Sequence, residues 1–72
     1  MINYLLERIS IEGRRPPGIE VINYSAFSVI INEDCILLYD DDGNLQESII
    51  IDHFDCIFQF INKDENIILY QN

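Results

Sequence analysis

Residues 37–51 limit the fold most strongly, because three aspartates and a glycine there separate two short apolar runs. The runs CILLY (35–39) and ESIII (47–51) are rich in β-forming residues, a pattern typical of strands that are buried on both faces. An Asp-Gly pair tolerates the positive φ that a type I′ hairpin turn requires. The sequence therefore predicts two strands joined by a hairpin turn at residues 40–43.

A calcium loop is the alternative interpretation of the same acidic segment. When Gly43 is aligned with the invariant glycine of an EF-hand loop, Asp40 and Asp42 occupy ligand positions 3 and 5. Leu38 and Ile49 then fall where the first and last ligands should be, and the flanks are predicted strands instead of helices. We therefore predict a turn, and we expect neither a metal nor another cofactor.

The rest of the chain divides into short elements. Residues 1–10 place Ile2, Leu5, Leu6 and Ile9 at helical spacing, which predicts a short N-terminal helix ended by GRRPPG (13–18). Residues 19–24 are predicted to form a strand, or the first part of one that bends at Ser25. Alternation over 27–31 predicts another strand, and IILYQ (67–71) the last one.

Residues 52–62 admit two interpretations. A strand would place Phe54, Cys56, Phe58 and Phe60 on one face, whereas a helix groups Phe54, Ile57, Phe58 and Ile61 within one arc. Asp52 would cap the first turn of such a helix, so the helix is preferred. The overall prediction is a single small acidic domain, 1–72, of the α+β class. It has a short N-terminal helix, an antiparallel sheet of four to five strands, a helix over about 52–62 packed on the sheet, and a final strand 67–71.

The net charge of −9 is concentrated in one part of the chain. Three glutamates balance three arginines in residues 1–20, whereas ten acids face only Lys63 in residues 21–72. Such a field repels nucleic acid and anionic membranes and attracts cationic protein surfaces. We therefore expect no direct nucleic-acid binding, no membrane binding, and a protein partner with a basic surface.

Catalytic and metal-binding patterns are sparse in this sequence. His53 and Cys56, three residues apart on the predicted helix, could form half of a zinc site, but Cys35 is the only other strong ligand. No nucleophile–base–acid arrangement and no glycine-rich phosphate loop occurs, so an enzyme is not expected. The start of the chain does not resemble a signal peptide and no apolar run is long enough to span a membrane. We expect a cytoplasmic protein with reduced cysteines.

The predicted topology sorts the acids into two poles about 20 Å apart, one strand length. The leading hypothesis is a non-enzymatic protein that inhibits or regulates a larger protein by occupying its basic nucleic-acid-binding surface. Phage or mobile-element antagonists, such as anti-CRISPR or anti-restriction inhibitors, are of this type. The predicted partner-binding residues are Glu33, Asp34, Asp52 and Asp55 at one pole, Asp40, Asp41, Asp42, Asp64 and Glu65 at the other, and the aromatic residues Tyr39, Phe60 and Tyr70.

The alternative function is that of a structural or assembly subunit. With 49% hydrophobic residues in a chain this short, more apolar surface is present than one small core can bury. A homodimer or a small component of a larger complex would bury the surplus.

Overall fold

The computed structural model of the protein describes residues 1–10, 18–51 and 56–72, and these residues form strands and turns without any helix. The strands are β1 (Ile2–Ser10), β2 (Gly18–Ala26), β3 (Ser28–Ile31), β4 (Cys35–Tyr39), β5 (Leu45–Ile50), β6 (Cys56–Asn62) and β7 (Ile67–Gln71). The described part of the chain is therefore all-β.

The strands form two antiparallel sheets. A four-stranded sheet has the order β2-β1-β6-β7, and a three-stranded sheet has the order β3-β4-β5. Phe27 alone connects β2 of the first sheet to β3 of the second, and its backbone N–H donates to the Tyr39 carbonyl at 2.9 Å. The chain thus passes from one sheet to the other within a single residue.

One buried cluster lies between the two sheets. The four-stranded sheet contributes two phenylalanines, one of which, Phe60, stacks on Tyr4 with 5.3 Å between ring centroids. The three-stranded sheet contributes aliphatic side chains. The buried members are Tyr4, Leu6, Ala26, Ile36, Leu38, Ile49, Ile51, Phe58 and Phe60. Each sheet therefore has an inner face against this core and an outer face directed away from it.

The predicted N-terminal helix is wrong, because residues 2–10 form β1, the strand between β2 and β6. Tyr4 and Leu6 are buried on the inner face, whereas Leu5 and Ile9 lie on the outer face. Apolar residues on both faces of a strand produced the spacing that resembles a helix. Pairing with two neighbours satisfies the backbone hydrogen bonds that a helix would have satisfied internally.

The predicted helix over 52–62 is also wrong over the part that the structure describes. Residues 52–55 lie outside the described residues, and Cys56–Asn62 is strand β6. Phe58 and Phe60 are fully buried, while Ile57 is exposed on the opposite face. The alternation that the strand interpretation required is therefore present. The α+β class and the single sheet of four to five strands are replaced by two all-β sheets.

The other strand predictions agree more closely with the structure. The predicted strands 35–39 and 67–71 coincide with β4 and β7, and β3 covers most of 27–31. The predicted strand at 19–24 lies within β2, but Ser25 is paired inside that strand and the bend occurs at Phe27. The expectation of burial on both faces is wrong for 47–51, where Ile50 is exposed, whereas the outer side chains of 35–39 are half-buried.

Candidate functional site

The acidic turn at residues 40–44 joins β4 to β5. The Asp40 carboxylate accepts hydrogen bonds from the backbone N–H groups of Asp42 (3.0 Å) and Asn44 (2.8 Å), and the Gly43 N–H donates to the Asp40 carbonyl at 3.2 Å. Gly43 has a φ of 85°, and no other residue of this turn has a positive φ. The predicted type I′ turn is therefore wrong, because that turn needs positive φ at both central residues. Asp40 holds the turn, and Asp41 and Asp42 are exposed to solvent.

The three aspartates of this turn bring one carboxylate oxygen each within 4.8 Å of one another. Calcium takes six to eight oxygen ligands, so three carboxylates form only part of a coordination shell. The Asp40 oxygen is moreover engaged by two backbone N–H groups. His53 and the side chain of Cys56 lie outside the described residues, and Cys35 is half-buried on β4, where the Asn32 amide donates to its sulfur at 3.7 Å.

A second acidic turn, residues 63–66, joins β6 to β7. Asn66 has a φ of 56°, and the Glu65 N–H donates to the side-chain oxygen of Asn62 at 3.1 Å. The Asp64 carboxylate accepts from the backbone N–H of Asn3 at 3.0 Å and from the Asn3 amide at 3.2 Å. These two hydrogen bonds, the backbone one first, lower the pKa of Asp64 below its usual value. This turn is thereby fixed to the start of β1.

Both acidic turns lie at the ends of the sheets that Phe27 connects. In the four-stranded sheet, β2 ends at Ala26 beside Ile2, and the turn 63–66 follows β6 at this same end. In the three-stranded sheet, β3 begins beside Tyr39, and the turn 40–44 follows there. Both turns that carry the predicted second pole therefore follow strand ends near the Phe27 connection, and the turn at 63–66 follows a strand instead of the predicted helix.

Glu33 and Asp34, of the predicted first pole, lie in the turn between β3 and β4, at the opposite end of the three-stranded sheet. Both are exposed, and the Asp34 carbonyl accepts from the Ile51 N–H at 2.9 Å. The chain therefore returns to this end at Ile51, as the predicted topology required. Asp52 and Asp55 lie outside the described residues.

The three predicted aromatic contacts occupy different environments. Phe60 is fully buried against Tyr4, so it is part of the core and does not supply a surface contact. Tyr70 pairs with Phe60 across β6 and β7 and packs against the core. Tyr39 is half-buried at the end of β4, beside the acidic turn. Of the three, Tyr39 is the side chain adjacent to the predicted acidic surface.

Basic side chains within the described residues belong to the four-stranded sheet. Arg8 forms an ion pair with Glu20 on the neighbouring strand, and its guanidinium carbon lies 5.5 Å from the centre of the Phe58 ring. The Lys63 ammonium donates to the side-chain oxygen of Asn23 at 3.3 Å. The described part of the three-stranded sheet and its turns carries acids only, which makes this sheet the more anionic of the two.

Sequence reasoning missed the outer faces of both sheets, which carry exposed isoleucine and leucine side chains. A continuous apolar run gave no sign of which of its members lie on the inner face. The register of the strands is what separates the two sets.

Comparisons with family models, with curated proteins and with solved structures returned no match for this chain. Within the described residues, no helix has the length and apolar character to cross a membrane.

Proposed function

We propose that this protein is a non-enzymatic binding protein that inhibits or regulates a larger protein by occupying a basic, nucleic-acid-binding surface. Antagonists carried by phages or mobile elements, such as inhibitors of CRISPR or restriction enzymes, are proteins of this kind. The proposal places the protein in the cytoplasm, where such enzymes act.

The observation that carries the proposal is the position of the acids in the described structure. Asp41 and Asp42 are exposed in one turn, and Glu65 is exposed in the other, at the ends of the sheets that Phe27 connects. Clustered exposed carboxylates produce a local negative potential that attracts an arginine- and lysine-lined groove. Basic grooves that bind phosphates are the surfaces for which such a protein competes with nucleic acid.

The experiment measures binding to a panel of purified enzymes, including a CRISPR effector nuclease and a restriction endonuclease, at low and at high salt. The double variant Asp41→Asn, Asp42→Asn removes two exposed charges and leaves Asp40, which holds the turn, unchanged. We expect this variant to bind about five- to tenfold more weakly at low salt, mainly through a slower association rate.

A matched control removes two charges from strands instead of turns. Glu7→Gln with Glu47→Gln gives the same net charge as the double turn variant and leaves both acidic turns intact. Equal weakening by the two double variants would show that net charge alone matters. Binding that is insensitive to salt would reject charge-driven docking altogether.

An assembly subunit is the second candidate, and the outer face of the four-stranded sheet favours it. The register aligns Ile9 with Ile19 on one side and with Ile57 on the other, forming an exposed apolar row across three strands. Val21, also exposed, continues this row along β2. A homodimer that buries the row predicts a stable species of twice the monomer mass that persists in high salt, as measured by sedimentation.

A further inference from the structure

We propose that the outer face of the three-stranded sheet is the docking surface, and that it fits a protein surface with an apolar centre flanked by arginine and lysine. This inference rests on the proposed function and adds to it the face and the partner's chemistry. Unlike the proposed function, it requires the partner to make apolar contacts with the part of the sheet that lies between the two acidic ends.

The register identifies which side chains share this face. Ile36, Leu38 and Ile49 are buried, so their neighbours along β4 and β5 are directed outward. On β3, Ser28 and Ile30 lie opposite Tyr39 and Leu37 and are therefore also directed outward. A register shift between Leu38 and Tyr39 passes over Gln46 and places Leu45 opposite Tyr39. The outer face of the three strands therefore includes Ser28, Ile30, Cys35, Leu37, Tyr39, Leu45, Ser48 and Ile50. It contains no charged residue, although the chain as a whole has a net charge of −9.

The apolar members of this face are open to solvent. Ile50 is 68% exposed, Leu45 is 54% exposed and Ile30 is 49% exposed. Ile30 lies opposite the half-buried Leu37, and Leu45 lies opposite Tyr39. These pairs form a continuous apolar surface over all three strands, with a tyrosine at the end where the acidic turn begins.

Acidic turns lie beyond both ends of the apolar surface. Glu33 and Asp34 precede β4, and the turn that contains Asp41 and Asp42 follows it. The five residues of β4 span about 17 Å at 3.3 Å per residue. An uncharged centre with a charged border is the usual arrangement of a protein interface. The complementary partner therefore has an apolar patch with cationic side chains at least about 17 Å apart.

The size of the face supports a partner that also contacts the turns. The three strands contain 4, 5 and 6 residues. At a rise of 3.3 Å and a strand spacing of 4.8 Å they cover roughly 240 Å². A standard interface buries about 800 Å² per partner, so the apolar face alone is too small. The remaining area must come from the flanking turns, whose charge selects a basic partner.

A second copy of the chain fits this face poorly. A two-fold dimer places the same surface on both subunits, so the acidic turns of one copy would lie against those of the other. Like charges brought together in this way disfavour association. In the four-stranded sheet, the exposed row at Ile9 and Ile19 lies toward the end away from the acidic turn at 63–66.

The test uses two designed peptides and the complete ¹⁵N-labelled protein. The first peptide carries two arginines at each end of a five-residue stretch that alternates valine and threonine. The second has the same arginines, but every valine is replaced by threonine. We expect the valine peptide to shift the amide signals of Ile30, Leu37 and Ile50, and the threonine peptide to bind at least about fivefold more weakly, since it loses the apolar contacts.

Two lysine variants with similarly exposed positions complete the experiment. Ile50→Lys lies on the proposed face and should weaken binding of the valine peptide at least tenfold. Ile19→Lys lies on the outer face of the other sheet and should leave the affinity unchanged. Dispersed amide spectra of both variants establish that each is folded before the affinities are compared.

The outcomes separate this inference from the proposed function. Equal affinity for the two peptides, with shifts confined to the acidic turns, would overturn the apolar docking face and leave charge-driven binding intact. Absence of binding by both peptides would overturn the inference, and a negative enzyme panel would then reject the proposed function as well. Amide shifts at Ile30 and Ile50 that depend on protein concentration without any peptide would assign the face to a second copy of the chain and overturn the proposed basic partner.

Discussion

The outer faces of the two sheets are both apolar, but they differ in where charge lies around them. The face of the three-stranded sheet has no charged residue and ends in acidic turns on both sides, at Glu33–Asp34 and at Asp41–Asp42. The outer face of the four-stranded sheet carries one charged residue of β1, Glu7. Its exposed apolar row, at Ile9 and Ile19, lies toward the end away from the turn at 63–66.

This difference shows that exposed apolar area alone does not indicate a partner. A charged border determines which surfaces can approach, because association of like charges is disfavoured and association of opposite charges is accelerated. We therefore propose that the face with acidic turns at both ends suits a basic protein, and that the apolar row at Ile9 and Ile19 suits another copy of the same chain. The predictions below test this division.

The largest effect is expected from the core that both faces share. Phe60→Ala removes a fully buried ring that stacks on Tyr4, at a cost of about 3–5 kcal/mol. A core of this size supplies about that much stability, so the variant should be largely unfolded at 25 °C by circular dichroism. Ile50→Lys on an outer face should change the free energy of unfolding by about 0.5 kcal/mol or less. Similar losses for both would show that the faces are not independent of the core.

The assignment of faces to partners predicts opposite results for two variants in a sedimentation experiment. Ile19→Lys should raise the dissociation constant of a homodimer at least tenfold, which corresponds to about 1.4 kcal/mol. Ile50→Lys should leave that constant unchanged. A dimer weakened by Ile50→Lys and unaffected by Ile19→Lys would reverse the assignment of the two faces.

The conformation of the acidic turn at 40–44 depends on the backbone of Gly43, whose φ is 85°. Gly43→Ala should destabilise the protein by about 1–2 kcal/mol, because a side chain disfavours this left-handed conformation. No atom lies within 4 Å of the added Cβ, so the cost is conformational and not steric. Gly18→Ala is the control, since Gly18 does not have a positive φ and its surroundings are as open as those of Gly43. This variant should unfold at the same urea concentration as the unaltered protein or at a higher one.

One acid of the four-stranded sheet, Asp64, accepts hydrogen bonds from within the protein. The backbone N–H of Asn3, followed by its side-chain amide, lowers the pKa of Asp64. A lowered pKa in the folded state stabilises the protein above the unfolded value near about 3.9, and this stabilisation is lost as pH falls through the folded pKa. Asn3→Ala removes one of the two hydrogen bonds and should raise the pKa of Asp64 part of the way to its usual value, as measured by carboxyl ¹³C titration.

Asn32→Ala, in the other sheet, is the control for this titration and should leave the Asp64 pKa where it is. An unchanged pKa of Asp64 in Asn3→Ala would mean that the side-chain amide of Asn3 does not contribute to lowering it, since the backbone hydrogen bonds from Asn3 to Asp64 and from Lys63 to Asn3 remain in this variant.

The smallest expected effect is a change in the pKa of Tyr24, which lies on one sheet and responds to a charge on the other. Burial, followed by the charge of Glu47, raises the pKa of Tyr24, which lies on β2 whereas Glu47 lies on β5. Glu47→Gln should lower this pKa part of the way toward its usual value near about 10. Stability linked to Tyr24 is fully present below that unfolded value and is lost as pH rises through the folded pKa. Glu65→Gln, which acts on Tyr4, should not shift the ring ¹³C titration of Tyr24. Equal responses to the two variants would contradict the proximity of Tyr24 to Glu47.

The sequence allowed the isolated strands to be predicted better than their arrangement. The runs at 35–39 and 67–71 are bounded by turn residues, and their predicted limits agree with β4 and β7. Residues 2–10 and 56–62 were predicted as helices because they carry apolar residues on both faces, which also fits the helical period. Pairing of β1 with β2 and β6, and of β6 with β7, determines that these segments are strands, and β1 and β6 lie far apart in the sequence.

The candidate surface was predictable in its charges but not in its apolar part. Asp41 and Asp42 precede a glycine between two strands, so an exposed acidic turn followed from local sequence. Ile30 and Ile50 could not be assigned to an outer face, since their neighbours are equally apolar and the register is a property of the assembled sheet.

Phe27 is the single residue between the two sheets, and this has a consequence for how such a protein can change over evolutionary time. One residue inserted at this position would displace one acidic turn relative to the other while the strand pairing within each sheet stayed intact. The distance between the turns 40–44 and 63–66 would thus change through one site, whereas Glu33–Asp34 and Asp41–Asp42, which flank β4, would keep their spacing. A lineage that had to follow a partner with altered cationic spacing could do so without redesigning either layer.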